Sequence, residues 1–280
     1  TDPGRLYVLV ETSDQWKAAL ENQAVTGVYA SLSMIGLKNL KVNVKKAAKE
    51  AALAGKKFYL AMPYMLREGR LDGFEDIFRD LGEDIDGFLV RNLEEVGYFK
   101  ELGLGEKLVC DYSIYNFNDL AKEFLEDLGV KRTTLPLELN AREIREKNNR
   151  NSEMILYGYY PMMVSAQCLK KTCGSCDHRS GKVWLKDRYG QRFLTKCSCD
   201  FCYNVIYNSI PTGLVKEAGE ILEMGIPAFR LNFTEEGYEE TREMLELFAL
   251  AYGFTKPTEK KKNPEKLPEF TKGHFRRGVE

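Results

Sequence analysis

The sequence predicts a (β/α)8-like TIM-type barrel that carries a cysteine-rich insertion after its seventh strand and an extended C-terminal arm. Short apolar segments alternate with helical patterns, which is typical of parallel strands joined by right-handed crossovers. Eight such strands can be counted, and this number favours a closed barrel over an open sheet. The alternation breaks between residues 161 and 213, where six of the seven cysteines lie.

Each strand is predicted from a short run rich in apolar residues that ends at turn or helix signals. The third run stops at Pro63, because proline cannot continue a central strand. The eight strands are predicted at 5–10, 27–32, 57–62, 86–91, 107–111, 132–137, 154–160 and 228–233.

The helices between the strands are predicted from apolar periodicity and capping residues. Ser13 or Asp14 can cap the first helix, and Gly55 ends the second. The fifth is amphipathic, with Leu120, Phe124 and Leu128 on its apolar face. The helices are predicted at 16–22, 42–54, 74–81, 93–102, 118–128, 141–148, 214–223 and 237–252.

The composition limits the classes of protein to which this chain can belong. Of 280 residues, 44% are hydrophobic and 30% charged, which is enough to build a globular core. A net charge of −1 gives no overall field for a polyanion. No apolar stretch approaches the roughly 20 residues that cross a bilayer, so we expect no membrane partner and a cytoplasmic location.

Two regions are predicted along the chain: a barrel-like domain at 1–255, which includes the insertion 161–213, and a basic arm at 256–280. The arm holds eight Lys or Arg and four Asp or Glu. It either docks on the barrel through Phe270, Phe275 and Val279 or is a solvated terminus.

The insertion contains two cysteine pairs, Cys173-x-x-Cys176 and Cys199-x-x-Cys202, with 22 residues between them. Two residues between thiolates let both sulfurs face one metal, so the spacing favours metal ligation over redox disulfides or buried thiols. The spacing does not distinguish a [4Fe–4S] cluster from Zn²⁺. Basic residues nearby would offset thiolate charge, attract an anionic substrate or form a solvated rim: Lys170, Lys171, Arg179, Lys182, Lys186 and Arg188.

Several separated motifs resemble one family, the collagenase-like peptidase U32 family. They are the segments 157–168, 185–190 and 202–209, and the ending 270–280. Upstream, Cys110-Asp111-Tyr112-Ser113 with Asn116 and Asn118 is similar to the family's Asp-x-Ser…Asn stretch after a barrel strand. The order of the motifs resembles the C-terminal module of a long bacterial member, which implies an N-terminal module as partner.

The resemblance implies a barrel-like fold and a [4Fe–4S] site with Cys168, Cys176, Cys199 and Cys202 as ligands and Cys173 and Cys197 as alternatives. It also implies oxygen-independent hydroxylation of tRNA, ribosomal RNA or a small aromatic substrate, with prephenate as a small carboxylate partner. The older family label implies a peptidase. Pro161 stands where the family signature has its first cysteine.

Polar residues at the predicted strand ends are the candidates for chemistry, since barrel active sites lie there. Asp111 is the candidate general base, and Arg188 a second catalytic candidate. Arg91, Arg188 or Arg230 could clamp a carboxylate. Asn116 and Asn118 have an Asx-turn as alternative role and Asp111 a helix cap. The predicted substrate-binding residues are Arg91, Asn116, Asn118, Glu138, Asn204 and Arg230.

Two other functions remain open. Proteolysis has little support, because the only histidines are His178 and His274 and no hydrolase motif is present. A non-catalytic module stabilised by zinc could instead bind RNA or a protein. In that case Phe270 and Phe275 of the arm would stack on bases beside Arg276 and Arg277.

Overall fold

A computed structural model describes residues 4–66, 69–256 and 268–279 of the chain. These ranges contain thirteen strands: β1 (Arg5–Val10), β2 (Val25–Ser31), β3 (Lys57–Ala61), β4 (Gly87–Val90), β5 (Leu108–Cys110), β6 (Arg132–Thr134), β7 (Ser152–Gly158), β8 (Pro161–Ser165), β9 (Gly181–Lys186), β10 (Arg192–Ser198), β11 (Tyr203–Tyr207), β12 (Thr212–Gly213) and β13 (Ala228–Asn232).

Strands β1 to β7 and β13 form one closed parallel barrel. Strand β1 pairs with β2 and β13, β13 pairs with β7, and the pairing of β6 with β7 closes the ring. The predicted eight-stranded barrel is therefore confirmed, with strand ends shifted by up to three residues. Short β12 adds to β7 in antiparallel orientation.

Ten α-helices lie among the described residues: α1 (Ser13–Glu21), α2 (Leu32–Ile35), α3 (Leu40–Leu53), α4 (Glu75–Asp84), α5 (Leu93–Glu101), α6 (Asp119–Asp127), α7 (Ala141–Glu146), α8 (Leu169–Thr172), α9 (Ala218–Leu222) and α10 (Tyr238–Ala251). The cap of α1 is Thr12, whose side chain accepts a hydrogen bond from the Gln15 amide, so the predicted caps Ser13 and Asp14 are wrong. None of the helices in the described ranges is long and apolar enough to cross a membrane.

Helix α6 corrects the predicted apolar face. Leu120 and Phe124 are 77% and 57% exposed, whereas Leu125 is buried. Lys122 determines which face of the helix packs inward. Its ammonium group donates a hydrogen bond to the Asn148 carbonyl at 2.7 Å, so its aliphatic stem is buried beneath the helix.

The insertion forms a second sheet of four antiparallel strands in the order β8-β11-β10-β9. Tyr203, Val205 and Tyr207 of β11 are buried and belong to the same apolar cluster as the barrel. The Tyr203 hydroxyl also accepts a hydrogen bond from the Tyr64 amide, just after β3, at 3.2 Å. The sheet is therefore a roof over the carboxyl ends of the barrel strands.

The C-terminal arm returns to the barrel. Phe275 is buried, and its carbonyl accepts from the Ala141 amide at 2.8 Å. Phe270 packs against Tyr157 with ring centroids 6.0 Å apart. A docked Phe275 cannot stack on a base, so the stacking role predicted for it is wrong. Val279 is 62% exposed and does not dock. Residues 257–267 of the predicted basic arm 256–280 lie outside the described residues.

Candidate functional site

The interior of the barrel holds a chain of buried charges. Asp111 accepts from Arg91 Nε at 3.1 Å and from Arg230, both guanidinium groups being buried. Arg230 Nη1 lies 3.2 Å from Glu153 Oε1, and Arg132 Nε lies 3.1 Å from Glu153 Oε2. We call these five residues the barrel charge chain. Three arginines share two carboxylates, so the chain carries one excess positive charge.

Tyrosines surround the lower half of this chain. The Tyr29 hydroxyl donates to Glu153 Oε2 at 2.7 Å and accepts from Arg132 Nη2 at 2.6 Å. The Arg132 guanidinium also lies over the Tyr7 ring, 4.0 Å from its centroid. The aromatic faces and phenol oxygens stabilise Arg132, which shares the carboxylate of Glu153 with Arg230.

Asp111 is a poor general base in this environment. Burial alone would raise its pKa, but the charges of Arg230 and Arg91 outweigh burial and hold the pKa below its usual value. Its Oδ1 also accepts from the Tyr112 amide at 2.9 Å and so caps the 3-10 turn Tyr112–Ile114, whereas the predicted helix that follows is capped by Asn118. The structure gives Asp111 the task of fixing two arginines rather than of taking a proton.

A cleft of about 310 Å³ lies between the barrel mouth and the roof sheet. It is lined from below by residues at the ends of strands and from above by the roof. Its charged and aromatic lining includes Glu11, Tyr64, Arg91, Lys196, Tyr203 and Tyr207.

Arg91 is the best-placed binding group of the cleft. Its Nη1 donates to the Met62 carbonyl at 3.0 Å, and its guanidinium stacks over the Tyr64 ring at 4.0 Å. Its Nη2 is buried and has no hydrogen-bond partner among the described residues. A buried, unpaired cationic donor is costly, so this nitrogen favours an anion in the cleft.

Lys196 is neutralised by its neighbours. It pairs with Glu11 and, at 3.2 Å, with Glu235, which lies beyond β13. Burial would lower the pKa of Lys196, but the two carboxylates outweigh it and raise the pKa. Lys182 also pairs with Glu235, so these ion pairs tie the roof to the barrel.

The cysteines lie next to the cleft. Cys197 lines it and is buried, as is Cys168. Burial, and then the charge of Cys168, raises the pKa of both Cys197 and Cys199, and Cys176 adds to the effect on Cys199. These four thiols are therefore neighbours.

The donor set fits a thiolate-bound metal in type and number, since four thiols occupy one neighbourhood. The side chains are not gathered around a common point: within the described ranges, no three His, Cys, Asp or Glu side chains are placed to hold an ion. Cys173 is exposed, and Cys202 has a left-handed backbone with φ of 56°.

The family model described as Peptidase family U32 matches residues 11–252. The chain belongs to this family. The thiamine phosphate pyrophosphorylase of Pyrococcus furiosus is 11% identical with a TM-score of 0.51, over 90% of this chain and 96% of that one, which shows the barrel fold alone. The U32 peptidase Mk0906 is 13% identical with a TM-score of 0.48, over 84% and 94%. No curated protein matches the sequence.

Asn116, Asn118 and Asn204 of this U32 chain have structural partners, whereas Glu138 Oε2 is buried without a hydrogen-bond partner among the described residues. Asn116 is buried and donates to the Thr134 carbonyl at 3.2 Å, and Asn118 caps α6. Asn204 donates to the Gln167 carbonyl at 2.6 Å, within the roof. Glu138 is half-buried near Tyr160. Arg188 stacks on its neighbour Tyr189 in the exposed turn after β9 and is not part of the cleft lining.

Sequence reasoning singled out Arg230 as a substrate-binding residue but missed Arg132, Glu153 and the charged interior of the U32 barrel. Arg230 is fully buried in the barrel charge chain and does not line the cleft. The signal was available, because inward positions alternate along a strand. Arg230 lies between outward Phe229 and Leu231. The partners of each charge, in contrast, follow only from barrel closure.

A buried carboxyl beside the cleft predicts a pH dependence. Glu95 accepts from the Arg91 amide at 2.7 Å, and burial raises its pKa to about 8. The folded chain therefore holds a proton that the unfolded chain loses near its ordinary pKa, so stability falls as pH rises from about 5 to about 8. We expect Glu95→Gln to reduce this pH-dependent loss of unfolding free energy by about 1–2 kcal/mol.

Urea unfolding at pH 5, 6.5 and 9 measures this effect. Glu94→Gln, at the exposed neighbouring position, is the matched control and should retain the wild-type pH dependence. Parallel pH profiles for wild type and Glu95→Gln would show that Glu95 is ionised in the folded chain.

Proposed function

We propose that this U32 chain binds a small organic carboxylate in the cleft beside a thiolate-bound metal centre, and that it serves an oxygen-independent hydroxylation. One observation carries the proposal: the same cleft is lined by Arg91, which has an unpaired donor, and by Cys197 of the thiol neighbourhood. A carboxylate held on Arg91 would lie next to the metal.

The cleft has the chemistry for an aromatic or ring-containing carboxylate. Asp111, the Met62 carbonyl and the Tyr64 ring fix the guanidinium, so little entropy is lost when an anion binds. Burial raises the pKa of Tyr203 to about 12, so its hydroxyl stays protonated. The volume of about 310 Å³ is at the small end of ligand pockets, which suits prephenate or a single aromatic ring.

The metal ligands we propose are Cys168, Cys176 and Cys199, with either Cys202, as the family resemblance implies, or Cys197, as its neighbours suggest, as the fourth. A [4Fe–4S] cluster bound there would supply electron transfer, whereas Zn²⁺ would be structural. The chain's own residues would shield the site, since Cys168 and Cys197 are buried.

Proteolysis is the weaker alternative. A cysteine nucleophile needs a thiolate and a nearby base, usually histidine. Neither His178 nor His274 lines the cleft, and the His274 ring bonds to the Gly278 carbonyl at the arm. Burial raises the pKa of Cys197, which disfavours the thiolate.

Metal analysis after anaerobic purification tests the centre. We expect about four irons per chain and a broad absorption band for a [4Fe–4S] site, or about one zinc for a structural site. Cys199→Ser should lose the metal, whereas Cys173→Ser, at an exposed position, should retain it. Comparing Cys197→Ser with Cys202→Ser identifies the fourth ligand. Wild-type protein with neither metal would contradict the proposal.

Calorimetric titration with prephenate tests the cleft. We expect Arg91→Lys to weaken binding about tenfold or more, because a lysine cannot bond both Asp111 and the Met62 carbonyl and still offer the donor that Nη2 provides. Arg188→Lys is the matched control, since Arg188 lies outside the cleft lining. Equal affinities of wild type and Arg91→Lys for prephenate would contradict the proposal that Arg91 binds a carboxylate in the cleft.

RNA is a second partner, favoured by the hairpin of β9 and β10. Trp184 and Tyr189 are 57% and 78% exposed, and Arg188 lies 4.7 Å over the Tyr189 ring. Lys186 and Arg192 are exposed on the same hairpin. Exposed rings between cations are what single-stranded RNA binds. We propose this hairpin, in place of Phe275, as the RNA contact.

Fluorescence anisotropy with a single-stranded RNA at several salt concentrations tests the hairpin. Replacing Arg188 and Tyr189 by alanine should weaken binding about tenfold or more. Arg276→Ala is the control, because Arg276 pairs with Glu217 and Glu220 on the arm side. Affinity that does not change with salt, or an equal loss in the control, would eliminate the hairpin as the contact.

A further inference from the structure

The amino ends of the barrel strands surround a second, larger cavity, at the end opposite the cleft. Its volume is about 980 Å³. Tyr59 and Arg132 lie at its inner side, where it meets the barrel interior, and Pro227 and Ala228 line it near the start of β13. We call it the lower cavity.

Cationic residues lie at the starts of the strands around the lower cavity. Arg5 and Lys57 are the first residues of β1 and β3, and Arg132 is the first of β6. Lys107 and Lys131 immediately precede β5 and β6. Parallel strands start at one edge, so these side chains form a ring. Branched apolar residues usually fill the layers of such a barrel, whereas long cationic side chains stand here.

The charge of this ring is only partly balanced. Six cationic and three acidic side chains line the lower cavity. Within the described ranges, Arg5, Lys57, Lys131 and Arg150 have no carboxylate at ion-pair distance. One of the three acids, Asp86, is already engaged, because its Oδ2 accepts from the Phe58 amide at 2.9 Å.

The floor of the cavity adds a structured donor. Arg132 has 12% of its side chain exposed, the most of the three arginines in the barrel charge chain. It shares Glu153 with Arg230, so its charge is incompletely compensated. The excess charge of the buried chain is therefore most accessible through Arg132, which the Tyr7 ring and the Tyr29 hydroxyl hold in place.

We propose that the lower cavity is a binding site for a small organic phosphate with two or three negative charges. A phosphoryl group fits the floor because arginine binds phosphate oxygens in a bidentate manner. The unpaired rim cations match the remaining negative charge. The volume lies in the range of sites for drug-sized ligands and leaves room for the organic part.

Calorimetric titration of the whole chain with ADP and with inorganic phosphate tests the site. ADP should bind, and Lys131→Ala and Arg150→Ala should each weaken binding about fivefold to tenfold. Lys46→Ala on α3, at a side chain 76% exposed, is the control and should not change the affinity. Prephenate, the probe for the cleft, should not compete with ADP.

The outcomes separate the sources of the anion. Tighter binding of ADP than of phosphate supports an organic phosphate, whereas equal binding reduces the ligand to phosphate itself. No binding of either anion up to about 10 mM would overturn the proposal. The proposal would also be overturned if Lys131→Ala lowered the unfolding temperature but left the affinity for ADP unchanged. The cations would then serve only to offset the negative ends of the helix dipoles nearby.

Discussion

The buried ion pairs of Arg230 with Asp111 and Glu153 are the constraint on which the rest of the barrel depends. Removing such charges from water costs several kcal/mol for each ion, and the cost is offset only when all partners are in place. Arg230 on β13 is fully buried and reaches one carboxylate on the neighbouring strand β7 and another after β5, which lies beyond β7 and β6 around the ring. The barrel must therefore close in register for any of the charges to be tolerated.

The same chain sets the chemistry at both ends of the barrel. Asp111 orients Arg91 toward the cleft, and Glu153 orients Arg132 toward the lower cavity. Above the cleft, the roof sheet is fixed by the pairing of Lys196 with Glu11 and Glu235. Cys197 follows Lys196 in the chain, so the ion pairs that hold the roof also hold the thiols beside the barrel mouth.

Periodicity and turn residues were enough to predict the eight parallel strands and the cysteine-rich segment, because both signals are local. The orientation of α6 could not be predicted in this way, since a buried lysine stem at Lys122 replaces Leu120 on the inner face. The role of Asp111 was also beyond local signals. Its two arginines come from different strands, and only their joint position lowers its pKa enough to make it a poor base.

The net charge was the least informative quantity for locating the candidate sites, because a sum over the chain does not show where the charges lie. A value of −1 correctly describes the whole chain but not its barrel ends. Carboxylates such as Glu239 and Glu246 lie on the outer helices and pair with Arg242 in water, where they contribute little. Arg91 and Arg132 lie at openings of a low-dielectric interior, where one uncompensated charge has a much larger effect. A nearly neutral chain can therefore present two cationic sites.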